Sequence, residues 1–406
     1  MKTLYLCYFG LSEPLVQTQV LPYLREIGGA GIDVSLLTFE PTSTSPQTCD
    51  EVENCKASLR AEGIEWFSLT YHKRPSALAT TYDIVRGALF AAKLARRKQI
   101  DVLHARSHVP MAIALLTRQF GVRCRLIFDF RGLMADEYAD ARIWSEGSAI
   151  FRVVKKVELK GIQTADQVIV LTRKFCDFLV DTGLKRAEQI QVIPCCFDFT
   201  RLDKASEPIE APGNPPTPND RTEIIYAGSV TGLYLLEEMG HFFLELKNRR
   251  PGAHFRILTL SSAPEAAARL ERAGLRPEDF SIVAVPPADV PLYLRRANLG
   301  ISFRKPSFSQ IAASPTKIPE YLAAGLPVIC NSGIGDTDEL LTSERVGVIL
   351  GEFNSEAYGQ ALDQIDQLLV DASLRARCQR TALNTFDIET VGRNGYREVY
   401  RRLKEQ

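Results

Sequence analysis

The sequence predicts an α/β protein made of two doubly wound parallel sheets, and three observations lead there. Short β-branched or aromatic runs alternate with longer helical patterns along both halves of the chain, which is the pattern of strands joined by crossover helices. The length of 406 residues exceeds one typical core and suits two domains of about 200 residues each. One stretch breaks the alternation: Ala211-Pro212-Gly213-Asn214-Pro215-Pro216-Thr217-Pro218-Asn219-Asp220, where four prolines remove donors and fix φ, so it reads as an exposed linker.

The elements follow in order. Thr3 to Phe9 reads as a first buried strand, not a signal peptide, because it stops at Gly10 and lacks a cleavage site. A helix from about Leu15 comes next, then strand Asp33 to Phe39, a helix around Ile84 to Arg97, and strands Val102 to His104, Leu126 to Phe130, Thr164 to Leu171 and Gln191 to Ile193. The first domain is expected over 1–205, a linker over 206–221 and a second domain over 222–384. The second domain's strands are Glu223 to Ala227, Phe255 to Leu260, Ser281 to Val285, Leu299 to Phe303 and Val328 to Asn331. In such sheets ligands bind beyond the carboxyl ends of the strands, and two facing lobes would leave a cleft.

Composition narrows the function classes. Apolar residues make up 45% and charged residues 24%, with 49 basic against 49 acidic side chains, so no global field recruits a nucleic acid. Nine cysteines, two of them adjacent at Cys195-Cys196 and none in Cys-x-x-Cys spacing, support neither a disulfide framework nor a zinc site. A reducing cytosol is the simplest location. No apolar run approaches the roughly 20 residues that a membrane-spanning helix needs.

The most informative stretch is Ser314-Pro315-Thr316-Lys317-Ile318-Pro319-Glu320, followed by Tyr321-Leu322-Ala323-Ala324-Gly325-Leu326-Pro327-Val328-Ile329. Pro315 suits a helix's first turn and Ser314 can cap it. The free amides would face outward, and a diphosphate can sit there with Thr316 and Lys317 adding a hydroxyl and a cation. Glu320 shares that helix face, where its oxygens could accept from a ribose. The plainer alternative is a Lys317–Glu320 surface pair on an ordinary capped helix.

This stretch resembles the signature of retaining GT-B glycosyltransferases of the group-1, family 4 class, and the likeness runs nearly end to end. Its other carriers are Gly10-Leu11-Ser12-Glu13-Pro14, Asp101-Val102-Leu103-His104-Ala105-Arg106-Ser107-His108, Ala165-Asp166-Gln167-Val168-Ile169-Val170-Leu171-Thr172, Val192-Ile193-Pro194-Cys195-Cys196-Phe197-Asp198 and Ile225-Tyr226-Ala227-Gly228-Ser229. The resemblance implies the GT-B fold, two Rossmann-like domains facing across a cleft, with residues 385–406 returning to the first domain. Glu320 would match the second glutamate of a Glu-x7-Glu motif. The first falls at Ala312, so that motif is half present, and Ser309, Gln310 and Ser314 are left to hydrogen-bond the sugar.

Gly228 and Ser229 read as a phosphate-facing turn, or as a plain tight turn. In relatives the loop leads to an Arg and a Lys that hold the diphosphate, whereas here it runs Leu233-Tyr234-Leu235-Leu236-Glu237 without a cation. Arg304, Lys305 and Lys317 are the candidate substitutes. The amides of the Gly10 loop would approach the sugar-phosphate junction from the first domain. Where many relatives carry a histidine, this chain has Asp129 and Arg131, with Asp136 and Glu137 nearby; a carboxylate there could orient or deprotonate an acceptor hydroxyl, or could be a buried structural pair. His108 is a second candidate base, with a structural role as the alternative. Retention is usually attributed to front-face attack, in which the departing phosphate oxygen takes the acceptor proton, so paired catalytic carboxylates are not expected.

The function implied is transfer of a sugar from a nucleoside diphosphate sugar, UDP-linked by expectation, to a glycan or lipid-linked acceptor in cell-surface polysaccharide or glycoconjugate synthesis, with no metal or other cofactor. Basic residues Arg86, Lys93, Arg96, Arg97 and Lys98, and again Arg152, Lys156 and Lys160, suggest peripheral contact with an anionic membrane or a merely solvated face. The rival readings are a nucleotide-sugar 2-epimerase and a non-catalytic partner subunit, the latter favoured by Ala312 and the missing loop cations.

Overall fold

The computed structural model describes residues 1–41, 49–74, 76–204 and 222–405. The chain folds as two units, one of Met1–Pro194 with Ile388–Gln406, the other of Cys195–Asp387.

The first unit holds β1 (Lys2–Leu6), β2 (Asp33–Pro41), β3 (Ile64–Tyr71), β4 (Val102–Arg106), β5 (Arg125–Asp129), β6 (Gln167–Val170) and β7 (Ile190–Val192), in the order β3-β2-β1-β4-β5-β6-β7. Every pairing is parallel. The second unit holds β8 (Glu223–Ala227), β9 (His254–Leu258), β10 (Phe280–Val283), β11 (Leu299–Ser302), β12 (Val328–Asn331) and β13 (Gly347–Leu350), in the order β10-β9-β8-β11-β12-β13, again all parallel. Both sheets reverse direction of growth next to their first strand, between β1 and β4 and between β8 and β11. Such switch points open a crevice at the carboxyl edge. Gly10 follows β1 and Gly228 follows β8, so the glycine loops sit where that rule puts a ligand.

Strands buried on both faces explain the continuous apolar runs. In β8, Ile224 and Tyr226 pack into one core layer with Phe242, Phe255, Ile301 and Phe303. Ile225 and Ala227 face the other layer, with Ile318, Tyr321, Leu322 and Cys330. Strands β3 and β13 were not anticipated. Glu65 and Ser68 interrupt the apolar pattern of β3, and β13 is only four residues long.

The first unit ends at Pro194, earlier than the expected 205, because the segment after it is bonded into the second unit. Cys195 N–H donates to Ser314 Oγ at 3.2 Å and Phe197 N–H to the Phe386 carbonyl at 2.7 Å. The return begins at Ile388 instead of 385, as a π-helical turn (Ile388–Gly392) running into the helix Arg393–Glu405. The proline-rich stretch over 206–221 lies outside the described residues.

Candidate functional site

In the second unit, the helix of the Ser314 stretch spans Lys317–Ala323, with Thr316 at its N-cap and no side-chain cap bond. The expected cap, Ser314, does something else: its hydroxyl accepts from Cys195 N–H, and the helix starts two residues later than Pro315 would have begun it. What fixes the helix is Tyr321, fully buried, whose hydroxyl accepts from Ala227 N–H at 2.8 Å at the end of β8.

That anchor lays Lys317 across Gly228. A Cβ on Gly228 would stand 2.7 Å from Lys317 Nζ, and the glycine's φ is 138°, so both space and backbone exclude a side chain there. Lys317 is only 5% exposed, and its ammonium lies 3.7 Å from the Tyr234 ring centre and 5.1 Å from that of Tyr226. Arg304, just past β11, stacks on the same Tyr234 ring at 4.9 Å and donates to its hydroxyl at 3.3 Å, while its Nε is buried without a partner. Two cations thus share one aromatic ring, and among the described residues neither forms an ion pair with a carboxylate. Cation–π contacts supply about 2 kcal/mol each when desolvated, which falls short of what burying an unpaired ammonium costs. The arrangement attracts an anion.

The loop between them is held from outside. Arg269 pairs with Glu237 and donates to the Val230 and Tyr234 carbonyls. Lys305 N–H donates to the Leu233 carbonyl at 2.8 Å. Exposed Ser229 accepts from Thr231 N–H at 3.2 Å. Glu320, one turn into the helix, has Arg201 Nη1 at 3.9 Å; burial raises its carboxyl, against the pull of Arg201 and Lys317. Ala312 is buried, as are Ser309 and Gln310, and the Gln310 Oε1 lacks a partner.

In the first unit the expected groups are placed differently. Asp129 has no exposed surface. Its carboxylate accepts from Arg131 Nη2 at 3.0 Å and from the hydroxyls of Tyr5 and Tyr396 at 3.2 Å, with Arg106 Nη1 at 3.5 Å. Burial would raise this carboxyl, but Arg131, His104 and Arg106 outweigh it and hold it well below the carboxylate range. Arg131 also donates to Tyr396 at 2.6 Å and lies over the Tyr23 ring. Asp129 and Arg131 are therefore the buried structural pair, not an acceptor-facing base: a fully ionised, fully enclosed carboxylate takes up no proton near neutrality. His108, 2% exposed, puts Nε2 3.0 Å from Glu158, which Lys155 in turn neutralises at 2.5 Å. It too is satisfied internally. At the Gly10 loop, the Leu11 N–H donates to the Glu40 carboxylate at 2.9 Å, and a Cβ at Gly10 would strike Glu40 and Pro41 at 2.9 Å. Glu40 occupies the amide that was expected to meet a phosphate.

Comparison with known proteins covers the motif stretches at Asp101, Ala165 and Val192 by sequence and the whole chain by fold. Residues 16–201 match the sequence model of Glycosyltransferase Family 4. Sucrose-phosphate synthase from Thermosynechococcus elongatus superposes with a TM-score of 0.70 at 15% identity, covering 100% of this chain and 99% of that one. Anabaena HepE, crystallised with UDP and glucose, gives 0.67 at 16%, covering 100% of both chains. The E. coli trehalose-6-phosphate protein bound with UDP-2-fluoro glucose gives 0.69 at 12%, covering 100% of this chain and 99% of that one. No curated protein matches the chain by sequence. The whole chain has the GT-B fold of the glycosyltransferases. The family 4 sequence model matches within residues 16–201, a stretch that lies mostly in the first unit.

Proposed function

We propose that this protein is a retaining glycosyltransferase that moves a hexosyl group from a nucleoside diphosphate sugar, with UDP as the carrier, to a glycan or lipid-linked acceptor. The observation that carries the reading is the carboxylate-free pair Arg304 and Lys317 around Tyr234 and Gly228, at the second sheet's switch point. A diphosphate between these cations would be gripped by a guanidinium and an ammonium without a metal, with Glu320 one helical turn on to receive ribose hydroxyls. The UDP in solved structures of the same fold supports that carrier. Among the described residues no group of His, Cys, Asp and Glu is arranged to hold a metal ion.

The site residues proposed for the donor are Gly228, Ser229, Arg304, Lys305, Thr316, Lys317 and Glu320. Peripheral membrane contact fits the helix Ser76–Lys98, which exposes Leu78, Val85 and Leu89 together with Lys93, Arg96 and Arg97. Among the described residues no helix is long and apolar enough to cross a membrane. A cell-surface glycoconjugate acceptor is the matching proposal.

The test is nucleoside diphosphate release from UDP-, GDP-, ADP- and dTDP-sugars, without acceptor and then with a crude glycolipid extract, beside Glu320→Ala. Release from one donor, lost in the variant, is the expected result. No release and no donor-induced thermal stabilisation across the panel would favour a non-catalytic partner subunit, the reading that buried Ala312 supports.

A further inference from the structure

His72 and Asp83 form a dyad at the carboxyl edge of the first sheet, apart from the groups described above. His72 follows β3 directly, and Asp83 sits on the helix Ser76–Lys98 with no exposed surface. Asp83 Oδ1 lies 2.6 Å from His72 Nδ1, while Oδ2 accepts from the His72 backbone N–H at 3.0 Å and from the Tyr8 hydroxyl at 2.8 Å. A carboxylate sealed by three donors has one orientation. It favours the tautomer that donates from Nδ1, in which Nε2 is the ring's acceptor. The His72 side chain is 39% exposed, and among the described residues Nε2 meets no partner.

Aromatic rings surround the dyad. Tyr82, 56% exposed, stands edge-on to His72 at 5.1 Å. Tyr8 packs on Phe39 at 4.8 Å and on Tyr71 at 5.4 Å, so rings close off the ends of β1, β2 and β3 together. Burying a carboxylate to steer an exposed imidazole costs stability that an apolar residue at 83 would not. An exposed aromatic face beside one oriented acceptor matches the two sides of a sugar, apolar C–H face and hydroxyl edge.

We propose that His72 Nε2 accepts a hydrogen bond from a hydroxyl of an acceptor sugar whose ring lies on Tyr82, making this edge of the first unit an acceptor carbohydrate subsite. Asp83 is the positioning residue. No bond forms or breaks at His72. The assignment of the sugar as an acceptor rests on the glycosyl-transfer reading; the binding itself needs no turnover.

Imidazole NMR of the full chain labelled at histidine tests it, with methyl glucoside, methyl galactoside, methyl mannoside and inorganic phosphate as probes and UDP binding followed in parallel. The expected result is an Nδ1–H tautomer at His72 and a saturable shift of its signals with at least one glycoside. Tyr82→Ala should weaken that shift about tenfold with the tautomer intact, and Asp83→Asn should mix the tautomers and weaken it similarly. A His72 signal unmoved by every glycoside, or moved by phosphate alone, overturns the proposal. Glycoside binding without UDP binding would fault the donor reading and leave this one standing.

Discussion

Lys317 is packed against two tyrosine rings and a glycine, and that placement separates its effect on binding from its effect on folding. Lys317→Met should weaken UDP binding by about 10- to 100-fold, the equivalent of about 1.5–3 kcal/mol for a charged hydrogen bond, while leaving the melting temperature unchanged or higher. The higher melting temperature follows because the variant no longer buries an unpaired cation. Titration calorimetry and a thermal melt on the same sample check both halves. Asp129 behaves in the opposite way. Its carboxyl is lowered in the folded state, so the unfolded chain binds more protons; its stability contribution is full above the unfolded value of about 3.9 and is lost as pH falls further. Burial lowers His104, which withdraws stability in the same direction from about pH 6.5 downward. Asp129→Asn should cost about 3–5 kcal/mol at pH 7 and flatten the acid limb below pH 4 in urea titrations. Lys317 and Arg304 were legible as cations beside a glycine turn. A buried Asp129–Arg131 pair was open as an alternative, but the groups that complete its enclosure were not legible, because Tyr5, Arg106 and Tyr396 approach it from three distant parts of the chain.

At the scale of elements, turns carry the strain. Ser107 joins β4 to the helix His108–Gln119 with φ 70° and ψ −172°, a region that suits glycine, and its N–H is tied to the Asp129 carbonyl at 2.9 Å. Ser107→Gly should therefore stabilise the protein by about 1 kcal/mol, read as a higher urea midpoint at constant slope. Gly228→Ala should do the reverse. Its Cβ displaces Lys317, so both UDP affinity and stability fall, the latter by about 1–3 kcal/mol. Strands β1, β8 and β12 could be placed from their apolar runs and the glycine loops from the residues after them. The brackets holding those loops, Arg269 on one and Glu40 on the other, could not. Each is an ordinary charged residue in sequence, and only the fold brings its guanidinium or carboxylate to the loop's carbonyl or amide. The His72–Asp83 dyad escaped for the same reason.

For the whole molecule, the alternation of strand and helix sufficed to predict two doubly wound sheets, and the order of motifs sufficed for the GT-B resemblance. The boundary at Pro194 did not emerge, since the residues after it look like a continuing loop and are assigned only by their bonds to Ser314 and Phe386. The first unit is finished by the far end of the chain: Tyr396 closes over Asp129 and Arg131, and Tyr400 links His104 at 3.0 Å to Thr3 at 3.0 Å. A chain ending at Asp387 should leave that network open to water, with the first unit lost to proteolysis at temperatures where residues 222–387 resist it; limited digestion with mass spectrometry reads the difference. Because residues 388–406 belong to the first unit, the order of birth on the ribosome is inverted from the order of completion. The second unit is contiguous and emerges whole, whereas the first waits, unfinished, until residues 388–406 have been made. Nascent first-unit strands must then be kept from pairing elsewhere for the time it takes to make some two hundred further residues, about 10–40 seconds at ordinary elongation rates. Expression at low temperature or with chaperones in excess should raise the yield of this protein more than it would for a chain whose first domain closes on itself.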